Sequence, residues 1–101
     1  MRMQIILWEF KVRDDAIQEF IIAHGPDGDW AKLFRYAPGY LSTELLRSSS
    51  DSNTFVTIDR WKDAGCFARF QEQFGAEYKK LDIRLEGLTL SEKKLGTFSK
   101  S

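Results

Sequence analysis

The stretch TFVTIDRWKDAGCFARF, Thr54–Phe70, decides the fold. Its first half carries β-branched residues at Thr54, Val56, Thr57 and Ile58, which suit a pleated strand ending at Trp61. Asp63 then offers a carboxylate to cap a helix. Phe67 and Phe70 follow at helical spacing, and Phe74 continues the stripe. A strand that runs straight into a capped helix needs neighbouring strands, and a sheet face for the helix to cover.

Working outward, the polar run SSSDSN (Ser48–Asn53) reads as a hairpin turn. It joins a strand over Tyr40–Arg47 to the strand over Thr54–Trp61. Upstream, Met3–Val12 alternates, with Ile6, Trp8, Phe10 and Val12 on one face, while Ile5 and Leu7 make the other face apolar too. Asp14 is expected to cap a helix whose apolar face is Ile17, Phe20, Ile21 and His24. Gly25-Pro26 should end it, through a left-handed glycine and a proline that cannot continue the ladder. Asp29 is expected to cap a short helix, Trp30–Tyr36, with Trp30, Leu33 and Phe34 on one face. APGY (Ala37–Tyr40) turns the chain into the second strand. Downstream, Tyr78, Leu81 and Leu85 extend the helical pattern, and Leu88–Phe98 reads as a last strand with a bulge at Gly96.

The order strand, helix, strand, strand, helix, strand is the ferredoxin-like βαββαβ arrangement of the α+β class, an antiparallel four-stranded sheet with helices on one face. The uncovered face should be polar if it meets water, yet the first strand is apolar on both sides. Two sheets packed face to face in a homodimer would account for this. The alternative is that the Trp30 helix folds beneath the sheet.

A chain of 101 residues suits a single domain over 1–101. Fifteen basic and fifteen acidic residues cancel, so nothing in the charge attracts nucleic acid or an anionic membrane. The apolar N-terminal run is interrupted by Glu9, is too short to span a bilayer and makes a poor signal peptide. The lone cysteine, Cys66, has no internal partner, which fits a reducing, cytoplasmic compartment.

The runs GPDGDWAKLFRYAPGYLSTELLR, TFVTIDRWKDAGCFARF, EYKKLD and LTLSEKKLG resemble the antibiotic-biosynthesis-monooxygenase-like domains of the dimeric α+β barrel superfamily. The telling pieces are Trp61 at a strand end before a capped helix with Phe67, and the Gly39–Leu45 stretch. The resemblance implies a homodimer and a small-molecule pocket between sheet and helices, with Trp61 bordering it. It covers cofactor-independent oxygenases of polycyclic phenols and haem-degrading enzymes. The haem-degrading members need an asparagine on the first strand and a histidine on the second long helix. Here LWEF has no asparagine and Gln71 stands at the helix position. In the phenol-oxidising members an asparagine shortly before the tryptophan and an aromatic phenol shortly after it take part, and those places fall near Thr57 and Phe67. No cofactor is implied.

Among titratable residues, His24 is the best candidate for an acid or base. Its simpler role is a cation at the C-terminal end of the first helix. With no second histidine and Cys66 remote in sequence, no metal site is expected. The GPDGD loop lacks the Lys and Ser/Thr of a phosphate loop, and its aspartates would repel phosphate. Aromatic walls from Trp8, Phe34, Phe67 and Phe70, with Trp61 donating an indole N–H, would suit a flat apolar ligand. Asp59 and Arg60 alternate across the third strand, and whichever points inward needs a partner, with Glu44 and Arg47 nearest in reach. Cys66 reads as a small buried hydrophobe. Two functional readings follow. One is a monooxygenase acting on a small aromatic or quinol substrate, with His24 as base and Trp61 as orienting donor. The other is a homodimeric module that binds a small hydrophobic ligand without chemistry.

Overall fold

A computed structural model describes residues 2–101. β1 (Gln4–Val12) leads through a single 3-10 turn, Asp14–Ala16, into α1 (Ile17–His24) and then α2 (Asp29–Phe34). β2 (Tyr40–Arg47) and β3 (Thr54–Trp61) form the hairpin. α3 (Ala64–Gln73) and α4 (Gly75–Leu85) meet at Phe74, and β4 (Thr89–Phe98) closes the sheet. The four strands lie in the order β2-β3-β1-β4, and every pairing is antiparallel. This is the ferredoxin-like α+β fold.

Local chemistry explains the boundaries. Asp63 caps α3 as expected, its Oδ1 accepting the Cys66 N–H at 2.9 Å. In the hairpin, Ser48 Oγ accepts the Asp51 N–H and Asp51 Oδ1 accepts the Asn53 N–H, so the side chains satisfy the turn backbone. Gly96 has φ +153 and lies where the β1–β4 register slips between Leu7 and Trp8, which is the expected bulge. Gly39 has φ +91, and a Cβ there would strike the Cys66 side chain, so only glycine lets β2 start this close to α3.

Three capping expectations fail. Asp14 caps nothing: it begins the 3-10 turn, and its Oδ1 accepts from Asn53 Nδ2 at 2.7 Å instead. Gly28 precedes α2, and Asp29 is its first residue, paired with Arg84. Gly25 is extended rather than left-handed, with φ −72 and ψ 176, so the chain leaves α1 by straightening into Pro26.

Register places Ile6 opposite Asp59, Trp8 opposite Thr57 and Phe10 opposite Phe55. These residues share the helix-covered face, where two aromatic clusters form. One gathers Ile6, Phe34, Trp61, Cys66 and Phe70; the other gathers Phe10, Val12, Phe20 and Phe55. Each fully buried large side chain contributes about 1.5–3 kcal/mol. Helix α2 sits with the other helices, since Phe34 meets Phe70 and Trp30 meets Tyr78, so it does not fold beneath the sheet. The opposite face carries Ile5, Leu7, Val56, Ile58, Leu46 and Phe98, crossed by the Arg60–Glu44 ion pair. No described helix covers it. No described helix is long and apolar enough to cross a membrane.

Candidate functional site

Between the clusters, the helix-covered face does not close completely. A half-enclosed cavity of about 570 Å³, counting its open mouth, runs between sheet and helices. Part of that space is its opening to solvent, so it is a slot rather than a closed chamber. Aromatic rings form its walls: Trp8 and Phe10 from β1, Trp30 and Phe34 from α2, and Tyr78 from α4. The sheet floor is polar, made by Thr43, Thr57 and Asp59, while exposed Asp82 and Glu92 stand at the rim.

Asp59 is the most perturbed acid in this slot. Surrounding protein strips its solvent and pushes its pKa up to about 6; the hydrogen bond from Thr43 only partly opposes this. Thr43 Oγ1 donates to Asp59 Oδ1 at 2.6 Å. Because that proton is committed, the Tyr40 hydroxyl, 2.7 Å from Thr43 Oγ1, is the donor in its own bond. A directed chain therefore runs from Tyr40 through Thr43 to Asp59. The inward carboxylate thus takes one hydrogen bond from Thr43, and none from Glu44 or Arg47 as its neighbours suggested.

His24 lines the same slot, but its atoms are occupied. The Trp30 indole can only donate, so at 3.1 Å it fixes His24 Nε2 as the acceptor. The proton then sits on Nδ1, which donates to the Phe20 carbonyl at 3.2 Å. The imidazole stacks on Phe20 with centroids 4.0 Å apart. Burial lowers its pKa to about 4, against the opposing pull of the Phe20 carbonyl and Asp29. His24 is therefore neutral at physiological pH, and the expectation of a cation at the end of α1 is corrected.

The other expected wall residues divide. Trp8 and Phe34 line the slot. Trp61, Phe67 and Phe70 pack against one another beside it: Trp61 meets Phe67 and Phe70 with centroids 5.4 and 5.3 Å apart. Trp61 is completely buried, and among the described residues its Nε1 finds no hydrogen-bond partner. Its contact with the slot is indirect, through the Phe34 ring at 5.5 Å. Sequence reasoning overlooked Thr43, Trp30, Tyr78, Asp82 and Glu92. It had the signal for Thr57 and Asp59, which alternate with Phe55 and Trp61 on one face of β3.

The ferredoxin-like α+β sheet thus carries an aromatic slot between it and its helices, floored by the half-buried carboxylate of Asp59. The antibiotic biosynthesis monooxygenase family model matches residues 3–80, and the chain belongs to that family. Among solved structures, SnoaB, a cofactor-independent oxygenase from Streptomyces nogalater, is similar in fold. Its asparagine-to-alanine variant superposes with a TM-score of 0.76 at 24% identity, over 97% of this chain and 92% of that one. The unsubstituted protein gives 0.76 at 21% identity, over 100% and 95%. A conserved protein from Methanosarcina mazei gives 0.74 at 13% identity, over 100% and 95%. At these identities the likeness speaks for the fold. No curated protein matches the sequence significantly.

Proposed function

We propose that this member of the family is a cofactor-independent monooxygenase that acts on a small, flat aromatic or quinol-type substrate held in the slot. The observation that carries this reading is Asp59. It is a carboxylate with a pKa of about 6, placed on the floor of a slot walled by aromatic rings. A base near neutrality is suited to taking a proton from a weakly acidic carbon or phenol. For a ring methylene, Asp59 would remove one proton and the electron pair left behind would reduce molecular oxygen. A carbon–oxygen bond then forms, the oxygen–oxygen bond breaks, and the methylene plus oxygen becomes a carbonyl plus water. The second methylene proton and the one returned by Asp59 leave in that water.

In this scheme His24 does not act as the base, since its lone pair already holds the Trp30 indole; it positions an aromatic wall. Trp61 backs Phe34. The active unit is a homodimer formed through the uncovered sheet faces, since an exposed apolar patch of that kind marks an interaction surface. Its single buried cysteine suits a reducing, cytoplasmic setting. Binding without chemistry is the competing reading, favoured by the engagement of both His24 nitrogens. Oxygen uptake with a panel of anthrones and hydroquinones separates the two. The proposal expects uptake that falls on the order of 100-fold or more in Asp59→Asn, the scale of a lost general base. Binding with no uptake by the unsubstituted protein would favour the module.

A further inference from the structure

The charged groups of the slot are all of one sign. Asp59 lies on the floor and Asp82 and Glu92 at the rim, while no lysine or arginine lines it. Lys94 sits opposite Trp8 in the β1–β4 register but is not part of the lining. His24 contributes no positive charge, being neutral. Among the described residues Glu92 makes no ion pair, and it accepts one long hydrogen bond from the Thr89 hydroxyl at 3.4 Å. One Asp59 oxygen accepts from Thr43, and among the described residues the other has no protein donor. Burial raises the pKa of the Tyr78 hydroxyl, and the charges of Asp82, Glu92 and Asp59 raise it further. Yet they do not approach closely enough, among the described residues, to form a cluster able to hold a metal ion.

We propose that the slot selects aromatic molecules bearing a protonated amine: the ring lies between Trp8, Trp30 and Phe34, and the ammonium is met by Glu92 and Asp82 at the rim. Two physical effects act together. Carboxylates at the mouth of a low-dielectric slot attract a cation and repel an anion. The faces of Trp8, Trp30 and Tyr78 are themselves electron-rich and favour a nearby ammonium. A carboxylate-bearing aromatic would lose its hydration to meet three like charges and is excluded. An uncharged ring is accepted on stacking alone. This selectivity rests on the slot being the ligand site, as proposed above, but not on oxygen chemistry taking place there.

The test compares three ligands of one shape by calorimetric titration: 1-naphthylmethylamine, 1-naphthylmethanol and 1-naphthoate. The amine is expected to bind on the order of tenfold more tightly than the alcohol, equivalent to about 1.4 kcal/mol. The naphthoate should bind weakest, and raising salt should narrow the amine-to-alcohol ratio. In an Asp82→Asn, Glu92→Gln double variant the ratio should fall to about threefold or less, about 0.7 kcal/mol. Both ligands are titrated into one preparation, so a folding defect weakens both and leaves the ratio intact. Equal affinities for amine and alcohol, tighter naphthoate, or a ratio unmoved by the double variant would each overturn the proposal. So would failure of all three ligands to bind. Because the readout is binding, preferential amine binding without any oxygen uptake would sustain this selectivity while the oxygenase reading fails.

Discussion

Two regions of one sheet face, separated by two residues of β3, behave in opposite ways. Around Trp61, rings from Phe34, Phe67 and Phe70 close in edge-to-face and tilted contacts and leave no surface exposed. Around Asp59 and Thr57, the rings of Trp8, Trp30 and Tyr78 line a slot instead. Polar residues make the difference. An indole packs against any apolar neighbour, whereas a carboxylate on the covered face must be hydrogen-bonded or keep room for a partner. Asp59 does both, taking one bond from Thr43 and facing the slot. Aromatic content alone therefore does not mark where the core opens; the interruption of an aromatic stripe by an unneutralised acid does.

The largest effect that would sharpen this contrast is on stability. Trp61→Ala should cost about 3–5 kcal/mol of unfolding free energy in urea titrations, as expected for a large buried aromatic. An equally destabilising Thr57→Ala would break the distinction, since that position borders open space.

The pH dependence of stability comes next. Asp59 has a folded pKa of about 6, above its ordinary 3.8, so the folded state holds the extra proton in that window and stability falls as pH rises from about 4 to about 6. His24 acts with the opposite sign. Its folded pKa of about 4 lies below 6.5, so the unfolded state holds the extra proton and stability is lost as pH falls from about 6.5 to about 4. In the unsubstituted protein the two trends partly cancel. Asp59→Asn removes one of them, so its denaturation midpoint should drop more steeply below pH 6.5, while at pH 8 it should be no less stable than the parent. Parallel pH profiles for the two proteins would contradict the raised pKa of Asp59.

A smaller effect is expected for Thr43→Val. It removes the hydroxyl that stabilises the charged form of Asp59, so the Asp59 pKa should climb further, read from its side-chain carboxyl carbon resonance against pH. The stability cost should be about 0.5–1.5 kcal/mol, that of one hydrogen bond. An unchanged Asp59 pKa would mean the chain from Tyr40 is not transmitted.

Most of the fold is legible in the sequence because it depends on local, repeated signals. The alternation of β1 and β3, the Asp63 cap, the polar turn at Ser48–Asn53 and the bulge at Gly96 each follow from neighbouring residues. Asp14 and Asp29 misled because two carboxylates of identical local promise found distant partners, Asn53 and Arg84, across 39 and 55 residues. The site was harder to read for the same reason. His24 attracts attention as the only histidine, but the Trp30 indole claims its free nitrogen. Asp59 is one of several aspartates, and its character comes from rings contributed by β1, α2 and α4. The alternation Phe55, Thr57, Asp59, Trp61 does place an acid on an apolar face; what it does not contain is which tryptophan stands against the slot and which is sealed in the core.

That last distinction is directly measurable. The chain has three tryptophans, each with one indole N–H resonance. In nitrogen-resolved NMR spectra titrated with the uncharged flat probe 2-naphthol, the account predicts that the Trp8 and Trp30 indole signals move saturably while the Trp61 signal stays nearly still. Movement of Trp61 with Trp8 and Trp30 unmoved would put the ligand against the sealed cluster and contradict the assignment of the slot.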